Sequence, residues 1–403
     1  MSTRKSQPSS YQFKEIYLEC IERFCEEHDR TGVVVAGSNG PHQEAETPLR
    51  NTAHWIVALC GAYDLLPEER YKSKAVELGD QLCSPTFRPF GASFHARQAN
   101  GVDRCNGLIG QAWAIEALGG LARLTGLRHY QETGVELALR HKFSEKWAVW
   151  HSLDIDGRIL NIDNVFNHQL WFAATTSMVN SGLSEELDRR VAAFTTALSV
   201  NLKTEENGLV RHHVDRLLSS PEVRLAGLLK HLRDGTLIRR IWNIRSTDKQ
   251  KPTPDEYRIG YHSFNAYGFA LLKRTTRDHE FWSGPAIAKI TELLQSPAFI
   301  QRLDNNIFSY PYNPPGFEVP VALETLSEKS NAELTAIATC WITRQLRFSY
   351  DATQRSMSRN CIDPKTQAAR IYEISRLSNE ILSAVEVSFA SDDVVTGASP
   401  SYA

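Results

Sequence analysis

Apolar residues along this chain recur at helical spacing, and runs with the two-residue period of a strand are scarce. The helical runs are of two kinds. In "NTAHWIVALCGAYDLL", from Asn51, apolar and small residues cover nearly every side, which assigns the helix to an interior. In "EERYKSKAVELGDQL", just after it, one apolar face is backed by charge, which assigns the helix to an outer layer. The two kinds alternate in units that open near Asn51, Asn106, Asn167, His262 and Phe317, roughly 55–60 residues apart with one long gap, the spacing of a helical-hairpin repeat. Helices near 11–28 and 367–386 complete a closing hairpin. The pattern predicts an all-α fold, an (α/α)6-type barrel of helical hairpins forming one domain over 1–386, followed by a Ser/Ala/Asp-rich flexible tail at 387–403.

The long gap, about 204–260, is a basic insertion. Residues 211–251 hold ten Lys and Arg against four Asp and Glu, a net +6 in a chain whose formal charge is −2. It reads as a solvated helical excursion or as a basic flap that draws an anionic ligand to the barrel mouth. His212 and His213, inside it, read as a solvated pair.

Composition narrows the class. With 42% hydrophobic and 23% charged residues the chain is an ordinary globular protein. Its near-neutral charge gives no reason to expect nucleic acid as a partner. No apolar run reaches the roughly 18 residues that span a bilayer, and the polar start "MSTRKSQPSS" has no signal-peptide core. Seven cysteines, an odd number without a C-x-x-C pair, read as core thiols in a reducing compartment. A cytoplasmic location is the expectation. No phosphate loop, dinucleotide fingerprint or metal-ligand spacing stands out, so neither cofactor nor metal is expected.

If every inner helix is followed by an outer helix running back, all inner helices point the same way and their N-termini meet at one mouth. The residues just before or opening those helices are unusually polar and aromatic. They are Glu46, Arg50, Asn51, His54 and Trp55, then Asp103, Arg104, Asn106, Gln111 and Trp113, then Asn167, His168, Gln169 and Trp171, then Tyr261, His262 and Asn265, and finally Tyr312 and Glu318. Singly, an Asn here is an N-cap and an Asp or Glu a partner for the helix dipole. Capping does not call for Trp, His, Tyr and Gln as well. Helix N-termini favour a carboxylate, aromatic faces stack on sugar rings, and Asn, Gln, His and Arg donate to hydroxyls and carboxylates. The expected ligand is an oligosaccharide or polysaccharide, and an anionic one, a uronate.

Two chemistries fit. Glycoside hydrolysis needs a carboxylic acid and a carboxylate, for which Asp103, Glu46 and Glu318 are candidates, Asp103 first. Uronate β-elimination or C5-epimerisation needs a base, an acid and a group that neutralises the carboxylate. His168 or His262 would be the base and Tyr261 the acid, with Arg50, Asn51 or Asn167 on the carboxylate. The remaining candidates line the pocket. A non-catalytic helical-repeat scaffold is the third reading.

"DRCNGLIGQAWAIEALGGLARLTG" resembles the GQAW-x-I helix of unsaturated glucuronyl hydrolases, glycoside hydrolase family 88, which implies an (α/α)6 barrel. "ETPLRNTAHW", "DRCNGLIGQAW", "FNHQLWFAA", "GYHSFNAYGFALL" and "YNPPGFEVPVALE" resemble the AglQ-type proteins of archaeal glycosylation gene clusters over about 46–386. Family 88 enzymes use two Asp residues, in H-D-x-G-F and I-D-x-x-x-N contexts. The resemblance matches Asp103 loosely to the second and nothing to the first, and puts Gln111 and Trp113 at pocket-lining positions.

Overall fold

The computed structural model describes residues 9–220 and 253–389. Twelve helical segments build the barrel: α1 Phe13–Thr31, α2 Leu49–Leu65, α3 Glu69–Leu82, α4 Ile109–Thr125, α5 Arg128–Arg140, α6 Phe166–Asn180, α7 Glu185–Asn201, α8 His262–Thr275, α9 Pro285–Leu294, α10 Pro315–Leu326, α11 Asn331–Ser349 and α12 Pro364–Ala369. A 3₁₀ turn, Arg370–Arg376, extends α12. The even-numbered segments form the inner ring, each packed on the next, and the turn after α12 closes it between α10 and α2. The odd-numbered helices form the outer ring. This is the (α/α)6 hairpin barrel that the two kinds of helical pattern predict.

Burial follows those patterns. On α4 every residue from Ile109 to Leu118 is buried, and its alanines and glycines let neighbouring helices approach. On α3 only Tyr71, Ala75, Leu78, Gly79 and Leu82 are buried, one stripe at helical spacing. The closing hairpin comes from both chain ends. Strand Ser9–Gln12 pairs antiparallel with Glu386–Phe389, and the Phe13 amide donates to the Val385 carbonyl at 3.0 Å. Residues 386–389 are therefore a paired strand rather than the start of a loose tail; 390–403 lie outside the described residues, as does 221–252, most of the basic insertion. No helix among the described residues is long and apolar enough to cross a membrane.

Side-chain caps do not separate the two rings: outer helices α1, α3, α5 and α9 have none, and inner α12 has Asp363 accepting from the Thr366 amide. Outer helices α7 and α11 carry side-chain caps, Ser184 accepting from the Leu187 amide and Ser330 from that of Glu333. Inner helices α2, α4, α6, α8 and α10 begin with no side-chain cap hydrogen bond. Other segments meet some of their first amides, Leu49 bonding Thr47, Phe166 the His212 carbonyl and Gly316 the Gln345 side chain, and their positive dipole ends face one region. The Asn residues read as caps are not caps: Asn51 lies inside α2, Asn167 inside α6, and Asn106 ahead of α4.

Candidate active site

All six inner segments, or the residues flanking them, contribute to a cavity of about 170 Å³ at this end. Arg50 comes from α2, Asn106, Ile109 and Trp113 from the approach and first turns of α4, Asn167 and His168 from α6, and Tyr261 and Phe264 from α8. Tyr312 and Asn313 precede α10, and Arg370 follows α12. The 39–44 loop adds Asn39, His42 and Glu44; the arms of the insertion add His212 and Tyr257. The volume falls below the roughly 300–1,000 Å³ of drug-sized ligand sites, which suits a single ring.

His168 on this wall is paired with a carboxylate. Its Nδ1 lies 2.9 Å from Asp163 Oδ2. Asp163 is almost buried, 8% exposed against 24% for His168. Burial alone would push the Asp163 carboxyl up, but His168 and the Leu108 and Val165 amides outweigh it and hold it below its ordinary value. An ionised Asp163 can only accept, so this bond carries a proton on His168 Nδ1 and leaves Nε2 as the ring's other polar atom. A three-stranded sheet, Phe143–Ser144, Val149–Leu153 and Ile159–Ile162, delivers Asp163 to that position. Gln169 clamps it to α6: its Oε1 accepts from the Trp150 amide (2.8 Å), and its Nε2 donates to the carbonyls of Trp150 (2.8 Å) and Asp163 (2.7 Å). Gln111 does the same one hairpin earlier, bonding both backbone groups of Phe94 and the Cys105 carbonyl.

The other side of the dyad is a turn. Asn106 (φ 55°) and Gly107 (φ 55°) are both left-handed. A Cβ on Gly107 would stand 2.4 Å from Asp163 Oδ2 and 3.1 Å from His168 Nδ1, so only glycine fits. Asp103 secures this turn: its Oδ1 accepts from the Gly107 amide (2.8 Å) and the Cys105 thiol (3.0 Å), its Oδ2 from Arg97 (2.6 Å).

Across the cavity His42 Nε2 lies 2.9 Å from the Tyr261 hydroxyl. Burial holds His42 below its ordinary value, and burial together with the neighbouring Tyr312 and Tyr257 raises Tyr261. Tyr261 therefore keeps its proton and donates to a neutral imidazole. His212 is pushed down to about 3, by burial first and then by His213 and His168.

The two central arginines differ. Arg370 has all five N–H groups engaged by Glu373, Glu318, Asn313 and the Tyr312 carbonyl. Arg50 bonds through Nη1 to Asn39 Oδ1 (3.2 Å) and Glu46 (3.4 Å), and its guanidinium also meets the Tyr312 hydroxyl. Its guanidinium lies 4.4 Å from the Trp113 ring centroid.

Over 349 residues, 86% of this chain and 92% of the relative, the sequence is 38% identical to archaeal glycosylation protein Q of Haloferax volcanii. The chain belongs to the archaeal glycosylation protein Q family. No protein-family profile matches it. The fold of this family member is also that of two crystallised proteins: an unsaturated glucuronyl hydrolase specific for heparin (TM-score 0.56, 13% identity, 91% of this chain and 96% of that one) and a D-mannose isomerase (TM-score 0.56, 13% identity, 93% and 99%).

Of the residues singled out in its sequence, this archaeal glycosylation protein Q relative gathers His168, Tyr261, Arg50, Asn106, Trp113, Asn167 and Tyr312 in the cavity. The others lie elsewhere. Asp103 holds the turn, and although burial pushes its carboxyl up, Cys105, Gly107 and Arg97 keep it low, which does not suit a general acid. Arg104 is exposed. Glu46 sits behind Arg50 and Glu318 behind Arg370. His262 is one helical position past Tyr261 and faces outward, 3.4 Å from the Ile290 carbonyl, with its pKa lowered to about 4 by burial. Asn51 bonds the Val35 carbonyl, Asn265 the Tyr261 carbonyl, and Gln111 and Gln169 clamp loops. His54 lies between Trp113 and Tyr372, Trp171 stacks on Phe264 and Tyr267, and Trp55 stacks on Phe24 beside a separate cavity of about 380 Å³.

Asp163, His42, His212, Tyr257 and Arg370 were not singled out as site residues. A signal for Asp163 was present: Ile162-Asp163-Asn164-Val165-Phe166-Asn167 meets I-D-x-x-x-N in full, where Asp103 meets it loosely. His212 is not a solvated histidine, because an antiparallel bridge between His213 and Val165 pins the insertion's first arm to the start of α6.

Proposed function

We propose that this protein moves a proton at the carbon beside the carboxylate of a uronic-acid-containing saccharide, the chemistry of an epimerase or lyase, with His168 as base. One observation carries the reading: the Asp163–His168 pair stands on the wall of a cavity where, among the described residues, Glu44 is the only lining carboxylate. Hydrolysis by two carboxyl groups needs both beside the bond, and Glu44 is itself held by Arg97 (2.9 Å) and Asn39 (3.1 Å). The glycosidase reading therefore ranks below the histidine–tyrosine one.

Each requirement has a residue. Asp163 orients His168 and stabilises the imidazolium that forms when Nε2 takes the proton. Negative charge then spreads onto the substrate carboxylate, which Arg50, Asn167 and the positive ends of the inner helices would stabilise. Tyr261, backed by His42, supplies a proton to the opposite face or to a leaving oxygen. A second reading, hydration of an unsaturated uronate with Asp163 as the acid, is favoured by the I-D-x-x-x-N register. It requires Asp163 to reach the sugar past His168, to which it is already bonded.

The test is incubation with uronate mono- and oligosaccharides in deuterated water. Epimerisation gives deuterium at the carbon beside the carboxylate, and elimination gives a rising unsaturated-uronate absorbance; both should vanish in H168Q. New reducing ends without deuterium would replace this reading with hydrolysis, and a falling unsaturated-uronate absorbance with hydration.

A further inference from the structure

Below the cavity lie three buried carboxylates and two buried guanidinium groups. Arg376 pairs with Glu116 at 3.0 Å. Arg370 serves both Glu318 (2.9 Å) and Glu373 (2.6 Å). One carboxylate is thus left without its own cation, and both Glu318 and Glu373 are fully enclosed. The Oε2 atoms of Glu318 and Glu373 are buried without hydrogen-bond partners. A buried carboxylate in that position is relieved by taking a proton. The cluster touches the ligand space directly, because Arg370 is part of the cavity wall.

We propose that Glu318 and Glu373 share one proton, and that its presence makes the cavity selective for an anionic sugar. With the proton in place the Arg370 cluster is neutral. Without it, an uncompensated negative charge stands behind the wall that the sugar carboxylate approaches. Binding a uronate then draws a proton in from solvent. The proposal rests on the reading of the substrate as a uronate.

The remaining groups around the pair leave this charge count unchanged. Ser263 of α8 faces Glu318, and Glu116 of α4, near Glu373, is already matched by Arg376. Arg50 of α2 and the Tyr372 hydroxyl lie near Arg370, but Arg50 pairs with Glu46 and Tyr372 is raised by burial. Burial drives both Glu318 and Glu373 up against the opposing pull of Arg370, so the changeover lies above the ordinary carboxylate range. Below it the pair holds its proton before the ligand arrives; above it the proton must be acquired on binding.

Calorimetric titration of the full chain with D-glucuronate and D-glucose, in buffers of different ionisation enthalpy, tests this. From about pH 6 to about pH 9 glucuronate should bind with a proton uptake that rises towards one, and about tenfold more weakly for each pH unit above the changeover. Glucose should show neither effect. E318Q, which keeps the shape and removes one charge, should abolish both the uptake and the pH dependence, and E373Q should do the same if E318Q does not fold. Wild-type binding of glucuronate without proton uptake anywhere in that range overturns the shared proton alone. No glucuronate binding at any pH overturns it together with the uronate reading.

Discussion

Replacing Asp163 by Asn tests how the site is built, and the cost can be worked from its hydrogen bonds. Asp163 accepts at both oxygens: Oδ1 takes the Val165 amide at 3.1 Å, and Oδ2 takes the Leu108 amide at 3.0 Å and His168 Nδ1 at 2.9 Å. An Asn offers one acceptor and one NH₂. If the NH₂ replaces Oδ1, one bond becomes a donor facing a donor; if it replaces Oδ2, two do. The first orientation wins, leaving one unsatisfied buried amide at about 1–3 kcal/mol. The carbonyl still faces His168, so Nε2 remains a base, but the imidazolium loses its negative partner. Turnover should fall about 10²-fold, at the low end of what general acid–base catalysis contributes. Denaturant unfolding reads the stability and deuterium exchange into substrate the turnover. A destabilised D163N with turnover within about threefold of wild type would show that Asp163 serves the fold alone.

Other substitutions separate neighbouring roles. G107A forces a side chain into a left-handed residue, about 1–2 kcal/mol, and into Asp163; thermal unfolding should show that loss and exchange activity should fall with it. R50Q should weaken uronate binding by about 10–150-fold, the worth of a hydrogen bond to a charged group, and leave neutral-sugar binding unchanged by calorimetry. H262F should keep its turnover while H168Q loses it, since His262 faces the outer ring; equal loss in both would return His262 to the site. Asp163 and Asp103 are both held below the ordinary carboxylate value. Their stabilisation is complete above that value and disappears as pH falls through the lowered native values. An acid-unfolding curve should therefore show D103N losing stability at neutral pH and depending less on pH in the acid range.

The barrel was legible because burial is written into single residues. A helix such as 109–121, apolar on every side, has no stable place outside an interior, and one such as 69–82, with one apolar stripe, has none inside. Alternation of the two predicts a ring within a ring, and the hairpin connection predicts the inner-helix N-termini at one mouth. Hence Arg50, Asn106, Trp113, Asn167, His168, Tyr261 and Tyr312 could be gathered from five units before any coordinates. Choosing among their neighbours was another matter. Adjacent helical positions differ by about 100° around the axis, so Tyr261 faces the cavity and His262 the outer ring, although the sequence marks them alike.

Loops carry no such period. Asp163 reaches His168 because a short sheet is clamped by Gln169, and His42 reaches Tyr261 because the 39–44 loop folds over the mouth; neither contact follows from spacing. The sequence alone determined the architecture and the end of the barrel where the polar cavity lies, since both depend on which residues must avoid water. The tertiary structure decided which side chains meet there and which carboxylates are tied behind the wall, since that depends on direction and distance between segments far apart in the chain.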